Sequence, residues 1–190
     1  MGEASLIFSP APYHILSYGT LLGTQVFHTF FNSIAAFKVL ERPQFAILQR
    51  EVFPQYFGIQ TAAPFLLALT YPGTKGALGG TSAGISGVLH QSNRWSVLLP
   101  LGTIFVTGLV NLAYLLPETN KITAKRREQE KKDGKQSYDK SPHSPEMTAL
   151  NKKFGQLHGI SSLLNLVTLV ATVVYGFTLS APYESVILDV

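Results

Sequence analysis

The sequence predicts an all-α fold, a four-helix transmembrane bundle with a short interfacial helix between the first and second spans. Three observations lead to this prediction. The 190 residues are 46% hydrophobic and only 14% charged, with a mean hydropathy of +0.19. Four apolar runs approach or exceed the roughly 20 residues that a helix needs to cross a bilayer core. The charges lie mainly between these runs, so residues 1–190 are interpreted as a single membrane domain.

Each predicted span is bounded by charged residues or by proline. The first is closed by Lys38, and the second is short and contains Pro64. The third contains Pro100 and stops at Pro117, and the fourth ends ahead of Pro182. Proline should kink a helix but is tolerated in membranes, where neighbouring helices satisfy the freed backbone groups. The predicted spans cover about residues 12–39, 54–71, 95–116 and 154–179.

The segment ERPQFAILQREVFP connects the first two spans. It places Phe45, Leu48 and Val52 at positions i, i+3 and i+7, on one side of a helix whose other residues are largely polar. Such an amphipathic pattern is typical of a helix that lies in the membrane interface. We therefore expect a short interfacial helix before Pro54.

The two other loops differ in composition. Residues 72–94 are rich in glycine and serine and lack the lysine spacing of a phosphate loop, so they are interpreted as a flexible lumenal loop. Residues 118–153 are polar and basic, which predicts a mobile or partly helical cytosolic loop. This basic loop sets the topology, and as an alternative role it binds anionic lipid headgroups through Lys125, Arg126 and Arg127.

The orientation follows from the lysines and arginines. Thirteen of the fifteen lie in or beside loops 40–53 and 118–153, leaving only Lys75 and Arg94 on the other side. Because basic loops stay in the cytosol, both of these loops are predicted to be cytosolic and both termini lumenal or extracellular.

The first and fourth spans each carry a stripe of small polar side chains, which are costly to leave unpaired in hydrocarbon. At about 100° per residue, Gln25, His28 and Asn32 share one face of the first span. Equal depth then predicts antiparallel packing through three pairs, His28–Asn165, Asn32–Ser161 and Gln25–Thr168. Asn111 of the third span is expected near the level of Asn32. The predicted polar seam, which is also the candidate binding site, comprises Gln25, His28, Asn32, Asn111, His158, Ser161, Ser162 and Asn165.

Two interpretations of these stripes remain open. The polar side chains either join the helices, or they line a cavity that admits a small solute or a lipid headgroup. On another side of the first span, Gly19 and Gly23 form a small-xxx-small motif that predicts a second close helix contact.

Several kinds of chemistry are disfavoured. The chain has no cysteine, which excludes disulfides and thiolate ligands, and the spans contain no acidic residue away from their ends. A serine nucleophile at Ser161 or Ser162 would lack an orienting carboxylate. His28 and His158 differ in predicted depth by roughly 9 Å, which does not suit two axial haem ligands. We expect no catalytic residue, metal or cofactor.

Three segments resemble one family. They are GTQVFHTFFNSIAAFKVLERPQFAILQREVFPQYF, NLAYLLPETNKI and MTALNKKFGQLHGISSLLNLVTLV, and they span nearly the whole chain. In this order they resemble the transmembrane protein 205-like family, also described as domain of unknown function 4149, in a fungal-type variant. The resemblance implies a four-span protein of the secretory pathway without an established activity. His28 departs from the family pattern, where this position is often apolar.

The sequence thus predicts a non-enzymatic multi-pass membrane protein. We expect an accessory or scaffold subunit of the endoplasmic reticulum or another secretory-pathway membrane, with membrane lipids and a membrane-protein complex as partners and no nucleic acid. The alternative is a small carrier or channel-like protein that moves a solute or lipid along the polar seam. A seam filled by side chains would favour the scaffold.

Overall fold

A computed structural model of the chain describes residues 7–73, 82–140 and 142–188, with side chains as far as residue 180. Every regular element within these ranges is helical, which confirms the all-α class. In the same ranges, four long helices are accompanied by the short helix α3, Gly84–Val88. The long helices are α1 over residues 10–39, α2 over Arg42–Leu69, α4 over Gln91–Asp133 and α5 over Pro145–Leu188.

Among the described residues, α4 and α5 are the helices long and apolar enough to cross a membrane by length and composition. Their most apolar stretches both have a hydropathy of 1.8. They contain the predicted third and fourth spans, whereas the predicted first and second spans coincide with α1 and the C-terminal part of α2.

Widened π-helical turns accommodate the two prolines inside α4. Pro100 and Pro117 both lie inside α4, although the sequence predicted that the third span would stop at Pro117. A proline ring clashes with the carbonyl four residues earlier, and a wider turn moves that carbonyl away. Such a turn precedes each of these prolines, and another lies in α1; the three turns are Phe27–Asn32, Arg94–Leu98 and Asn111–Leu115.

The carbonyl freed by Pro100 is satisfied by another helix. Proline has no N–H, so the carbonyl of Ser96 loses its usual partner within α4. The Thr178 hydroxyl of α5 donates a hydrogen bond to this carbonyl at 2.9 Å. The contact joins the ends of α4 and α5, and it explains how α4 tolerates a proline within an apolar stretch.

The prediction of a separate interfacial helix is wrong, because α2 runs unbroken from Arg42 through Pro54 to Leu69. A capping box starts it early: the Glu41 side chain accepts from the third helical N–H, and Gln44 reaches back to the Glu41 N–H at 3.4 Å. The buried face of α2 begins at Gln49, before Pro54, and continues at helical spacing through Tyr56 and Gln60. One long helix therefore buries this face better than two short ones.

Much of the basic loop, which the sequence predicts to be mobile or partly helical, is helical in the structure. α4 continues to Asp133 and ends at Gly134, whose φ of 66° lies in the left-handed region that favours glycine. The chain then turns back into α5, so Leu116–Asp133, the turn and the first turns of α5 form a helical hairpin, called here the basic hairpin. Side chains lock its turn: Ser144 donates to Asp133 at 2.7 Å, and Glu130 accepts from the Ser137 N–H at 2.8 Å.

The apolar core lies at the end of the bundle away from the basic hairpin, where α1, α2, α4 and α5 meet. Its buried members are Leu21, Ala63, Leu67, Tyr71, Val88, Val97, Leu101, Ile104 and Tyr175. Glycines allow close helix contacts at Gly108 of α4, where a Cβ would come within 3.1 Å of Gln60 on α2, and at Gly176 of α5, where a Cβ would clash with the Tyr18 hydroxyl of α1. A Cβ at Gly19 or Gly23 would meet nothing within 4 Å, so no described helix of this chain packs closely against the motif.

Candidate functional site

The polar stripe of α5 pairs with α2 and α4. The Asn165 side-chain oxygen accepts from the Tyr56 hydroxyl at 2.7 Å and from the Gln60 amide at 2.9 Å, both on α2. These two donors were missed by the sequence interpretation, which treated α2 only as a short apolar span. A signal existed, because Gln49, Tyr56 and Gln60 recur at helical spacing and all three are buried.

Two other seam contacts join α5 to α4. The Ser161 hydroxyl donates to the Asn111 side-chain oxygen at 2.7 Å, and the hydroxyls of Thr107 and Thr168 lie 2.7 Å apart. Placing Asn111 at the level of Ser161 agrees with the depth expected from the sequence. The predicted pairs Asn32–Ser161 and Gln25–Thr168 are wrong, because α4 supplies the partners instead.

Within the seam, Thr29 makes the hydrogen bond between α1 and α5. The Asn165 amide donates to the Thr29 hydroxyl at 3.4 Å, whereas the predicted partner His28 bonds within its own helix. The π-helical turn Phe27–Asn32 explains the difference, because its extra residue rotates the side chains that follow. Asn32 consequently bonds His28 at 3.2 Å and contacts no residue of α5 through a hydrogen bond among those described.

Several buried amide atoms in the seam have no partner among the described residues. Gln25 is 1% exposed, and neither its amide nitrogen nor its oxygen is hydrogen-bonded. The same holds for the Gln60 oxygen, the Asn111 nitrogen and the Gln49 oxygen. An unpaired buried polar atom costs about 1–3 kcal/mol. A water molecule or ligand that formed hydrogen bonds with these atoms would therefore remove this cost and stabilise the folded protein.

The seam opens into a cavity of about 490 Å³ on the basic-hairpin side of the bundle. Its wall is mainly apolar and aromatic, with polar groups at intervals, and it contains no acidic residue. We call this space the seam cavity. It brings together five of the eight predicted seam residues, His28, His158, Ser161, Ser162 and Asn165, and leaves out Gln25, Asn32 and Asn111. The other lining residues are Thr29, Ser33, Ile34, Phe37, Lys38, Phe45, Gln49, Phe53, Tyr56, Phe57, Leu116, Thr119, Leu166 and Leu169.

A Ser–His pair in the cavity wall does not have the arrangement of a nucleophile and its base. The His28 Nε2 atom lies 3.3 Å from the Ser33 hydroxyl, and its Nδ1 atom accepts from the Asn32 amide at 3.2 Å. Since Nδ1 is the acceptor, the ring proton is on Nε2 and is donated towards Ser33. An imidazole in this tautomer cannot remove the serine proton.

The His28 ring also packs on aromatic side chains, with its centroid 4.4 Å from Tyr56 and 5.3 Å from Phe53. Within the described residues, no group of three or more histidine or acidic side chains is placed to hold a metal ion.

His158 stands at the junction between the cavity and the basic hairpin. Its ring stacks on the Phe154 ring, with centroids 5.8 Å apart. The Arg126 guanidinium lies over the Phe154 ring, 4.3 Å from its centroid. Arg126 also donates to the Asn151 side chain at 2.8 Å. Burial lowers the pKa of the Arg126 guanidinium from its ordinary value, although an arginine remains charged at neutral pH.

The three predicted headgroup ligands are therefore not equivalent. Lys125 and Arg127 are exposed, but the Arg126 side chain is engaged within the hairpin.

A second polar cluster, which the sequence did not indicate, lies at the opposite end of the bundle. His14 is 1% exposed, with Nδ1 3.1 Å from the Thr70 hydroxyl and Nε2 2.8 Å from the Tyr175 hydroxyl. Thr70 uses its own proton to bond the Leu66 carbonyl at 2.6 Å, so Nδ1 donates to Thr70 and Tyr175 donates to Nε2. A neutral histidine thus connects α1, α2 and α5.

The fold and the seam define a class of all-α protein in which long apolar helices surround buried polar contacts. Within that class, the chain belongs to the family described as "Domain of unknown function (DUF4149)", whose profile matches residues 16–128. This confirms the family expected from the sequence motifs. The matched region includes most of α1, all of α2 and α3, and most of α4, while α5 lies beyond it.

A curated relative extends the similarity to nearly the whole chain. The chain is 34% identical over 170 residues to the Aspergillus fumigatus protein named "Xanthocillin biosynthesis cluster protein D". The alignment covers 90% of this chain and 88% of the relative. No solved structure matches the chain.

Proposed function

We propose that this chain is a membrane protein with four spans, formed by α1, α2, α4 and α5. The length and hydropathy of α4 and α5 support two of these spans. On α1 and α2, large apolar side chains point away from the bundle, as a lipid-facing surface requires; examples are Phe27, Phe31, Phe65 and Leu69, each more than half exposed. The basic hairpin lies in the cytosol and both termini lie on the other side, in the endoplasmic reticulum or another secretory membrane.

The proposed role is that of a non-enzymatic accessory subunit that holds a lipid or another amphipathic small molecule in the seam cavity. The cavity itself carries this proposal: an apolar wall with a few hydrogen-bonding groups is the composition of most small-molecule sites. The Gln49 residue is 9% exposed and lines this wall, and its buried side-chain oxygen has no hydrogen-bond partner among the described residues, so a small side-chain rotation would offer an acceptor to a bound molecule.

The name of the Aspergillus fumigatus relative, which refers to a biosynthesis cluster, fits a membrane protein that holds a small organic molecule or a partner enzyme. On this proposal the partners of the chain are membrane lipids and other membrane proteins.

The alternative function is a carrier that moves a solute or lipid along the seam. The polar side chains continue beyond the cavity, which is the observation in its favour. Past Asn165, however, they are tightly packed: Gln60, Thr168 and Thr172 are at most 1% exposed. A filled seam favours static binding over passage through the bundle.

The cavity proposal is tested by filling the cavity. Ser162 lines it, so Ser162→Phe should place a ring where the bound molecule lies. Thr20→Phe is a matched control, because Thr20 is exposed on α1 and outside the cavity. Native mass spectrometry of the protein in mild detergent should find one retained amphiphile in the wild type and in Thr20→Phe, but not in Ser162→Phe. Retention of the same molecule by Ser162→Phe would refute the assignment.

A proteoliposome assay separates the two functions. Flux of the retained molecule that depends on the protein would support the carrier, and binding without flux would support the accessory subunit.

A further inference from the structure

A second cavity, of about 550 Å³, lies between α2 and α4. The second cavity and the seam cavity lie on different faces of α2. Ala46 and Arg50 line the second cavity, whereas Phe45 and Gln49 line the seam cavity. We call the second cavity the basic groove. Its lining residues are Ala46, Arg50, Pro117, Asn120, Lys121, Thr123, Ala124 and Arg127.

Three cationic side chains from two helices meet at the basic groove, and none of its lining residues is acidic. Arg50 and Arg127 are exposed, and neither forms an ion pair or a hydrogen bond with any residue that the structure describes. Lys121 is partly neutralised by Glu118, which lies beside the groove at 2.6 Å from the lysine nitrogen. The two arginines therefore supply the uncompensated charge.

The position of the groove suits the surface of a membrane. Pro117 follows the predicted end of the third span, and Arg50 lies four residues before Pro54, where the second span was predicted to begin. In the proposed topology the groove is thus level with the cytosolic headgroups. Its alanines and Pro117 provide an apolar wall, which a soluble anion does not require.

From this arrangement we propose that the basic groove binds the phosphate of an anionic phospholipid headgroup. Guanidinium groups bind phosphate oxygens through paired, charge-assisted hydrogen bonds. The Asn120 amide and the Thr123 hydroxyl add neutral donors at the same site. The inference rests on the proposed membrane topology but concerns a different site from the seam cavity. Of the three headgroup ligands predicted from the sequence, Lys125, Arg126 and Arg127, only Arg127 lines the basic groove.

The test uses the full chain in neutral detergent, titrated with short-chain phosphatidylinositol 4-phosphate and followed by native mass spectrometry. Replacing Arg50 and Arg127 together by glutamine should weaken binding about tenfold or more, because both charges face the phosphate. Lys131→Gln with Lys132→Gln is the matched control, since it removes the same charge from an exposed part of α4 outside the groove. The control should bind within about twofold of the wild type.

A parallel titration with millimolar inorganic phosphate distinguishes a lipid from a free anion. Binding of the lipid that inorganic phosphate does not displace supports the proposal, whereas displacement assigns the groove to soluble phosphate and overturns it. Absence of lipid binding, or equal loss in both double variants, also overturns it. The arginine variant should keep the amphiphile of the seam cavity and its helical circular dichroism. This result separates failure at the groove from failure of the cavity proposal or of folding.

Discussion

Replacing Asn165 by leucine should destabilise the bundle by about 2–4 kcal/mol. The substitution removes the two short hydrogen bonds from Tyr56 and Gln60, each worth about 0.6–2 kcal/mol in a membrane. It also leaves the buried Tyr56 hydroxyl with only its 3.4 Å contact to Thr29, which adds part of the cost of an unpaired polar group. Burial of the apolar leucine side chain offsets a fraction of this loss, and the value of about 2–4 kcal/mol includes that gain.

Reversible unfolding in mixed micelles gives the free energy of unfolding for each variant. Thr20→Leu is the control, because Thr20 is exposed on α1 and has no assigned side-chain bond. Thr178→Leu, although outside the polar stripe, is unsuitable, since its hydroxyl satisfies the Ser96 carbonyl. Tyr56→Phe and the double variant Tyr56→Phe with Asn165→Leu complete a double-mutant cycle.

The cycle should return a coupling energy of about 0.6–2 kcal/mol between Tyr56 and Asn165. Additive effects would mean that the two side chains do not interact in the folded protein. A loss for Asn165→Leu no greater than for Thr20→Leu would refute the whole account of the seam.

Three further outcomes follow from contacts described above. Thr178→Val should lower the free energy of unfolding by about 1 kcal/mol, since the Ser96 carbonyl loses its donor; no change in the same micelle assay would disprove the role of that bond. Ser144→Ala should cost about 1 kcal/mol locally, because Ser144 accepts from the Met147 N–H at the start of α5, and hydrogen exchange there should quicken while α2 stays protected. Protease added to sealed vesicles should cut the turn of the basic hairpin and spare tags on both termini; loss of either tag would reverse the proposed topology.

The polar stripe of α5 could be predicted from the sequence because it follows the helical period without interruption. Ser161 and Asn165 do face the interior of the bundle, and Asn111 lies at the depth expected. Their partners could not be predicted in the same way, since depth alone does not say which helix stands opposite. The sequence favoured α1, whereas α2 and α4 supply most of the contacts.

The lengths of the helices were predicted less well, and for a local reason. The sequence places span boundaries at Pro54 and Pro117, whereas both helices continue past these prolines. A π-helical turn precedes Pro117 in α4, and a capping box at Glu41 starts α2 well before Pro54. The composition of residues 118–153 predicts a mobile or partly helical loop, but it does not predict the basic hairpin. What folds it is a set of specific pairs, such as Ser144 with Asp133, that no general pattern reveals.

The π-helical turn in α1 has a consequence for insertions and deletions. In this turn the Ser33 N–H bonds the carbonyl of His28, one residue further back than in an α-helix. The wide turn thus holds one residue more than an α-helical turn, so deleting one residue between 27 and 32 would restore ordinary helical geometry and keep Ser33 and Phe37 in the wall of the seam cavity. A deletion within the regular α-helical part, Pro10–Val26, would instead turn the two sides of α1 relative to each other by about 100°. The cavity wall therefore tolerates the loss of a residue at this turn but not in the helix before it.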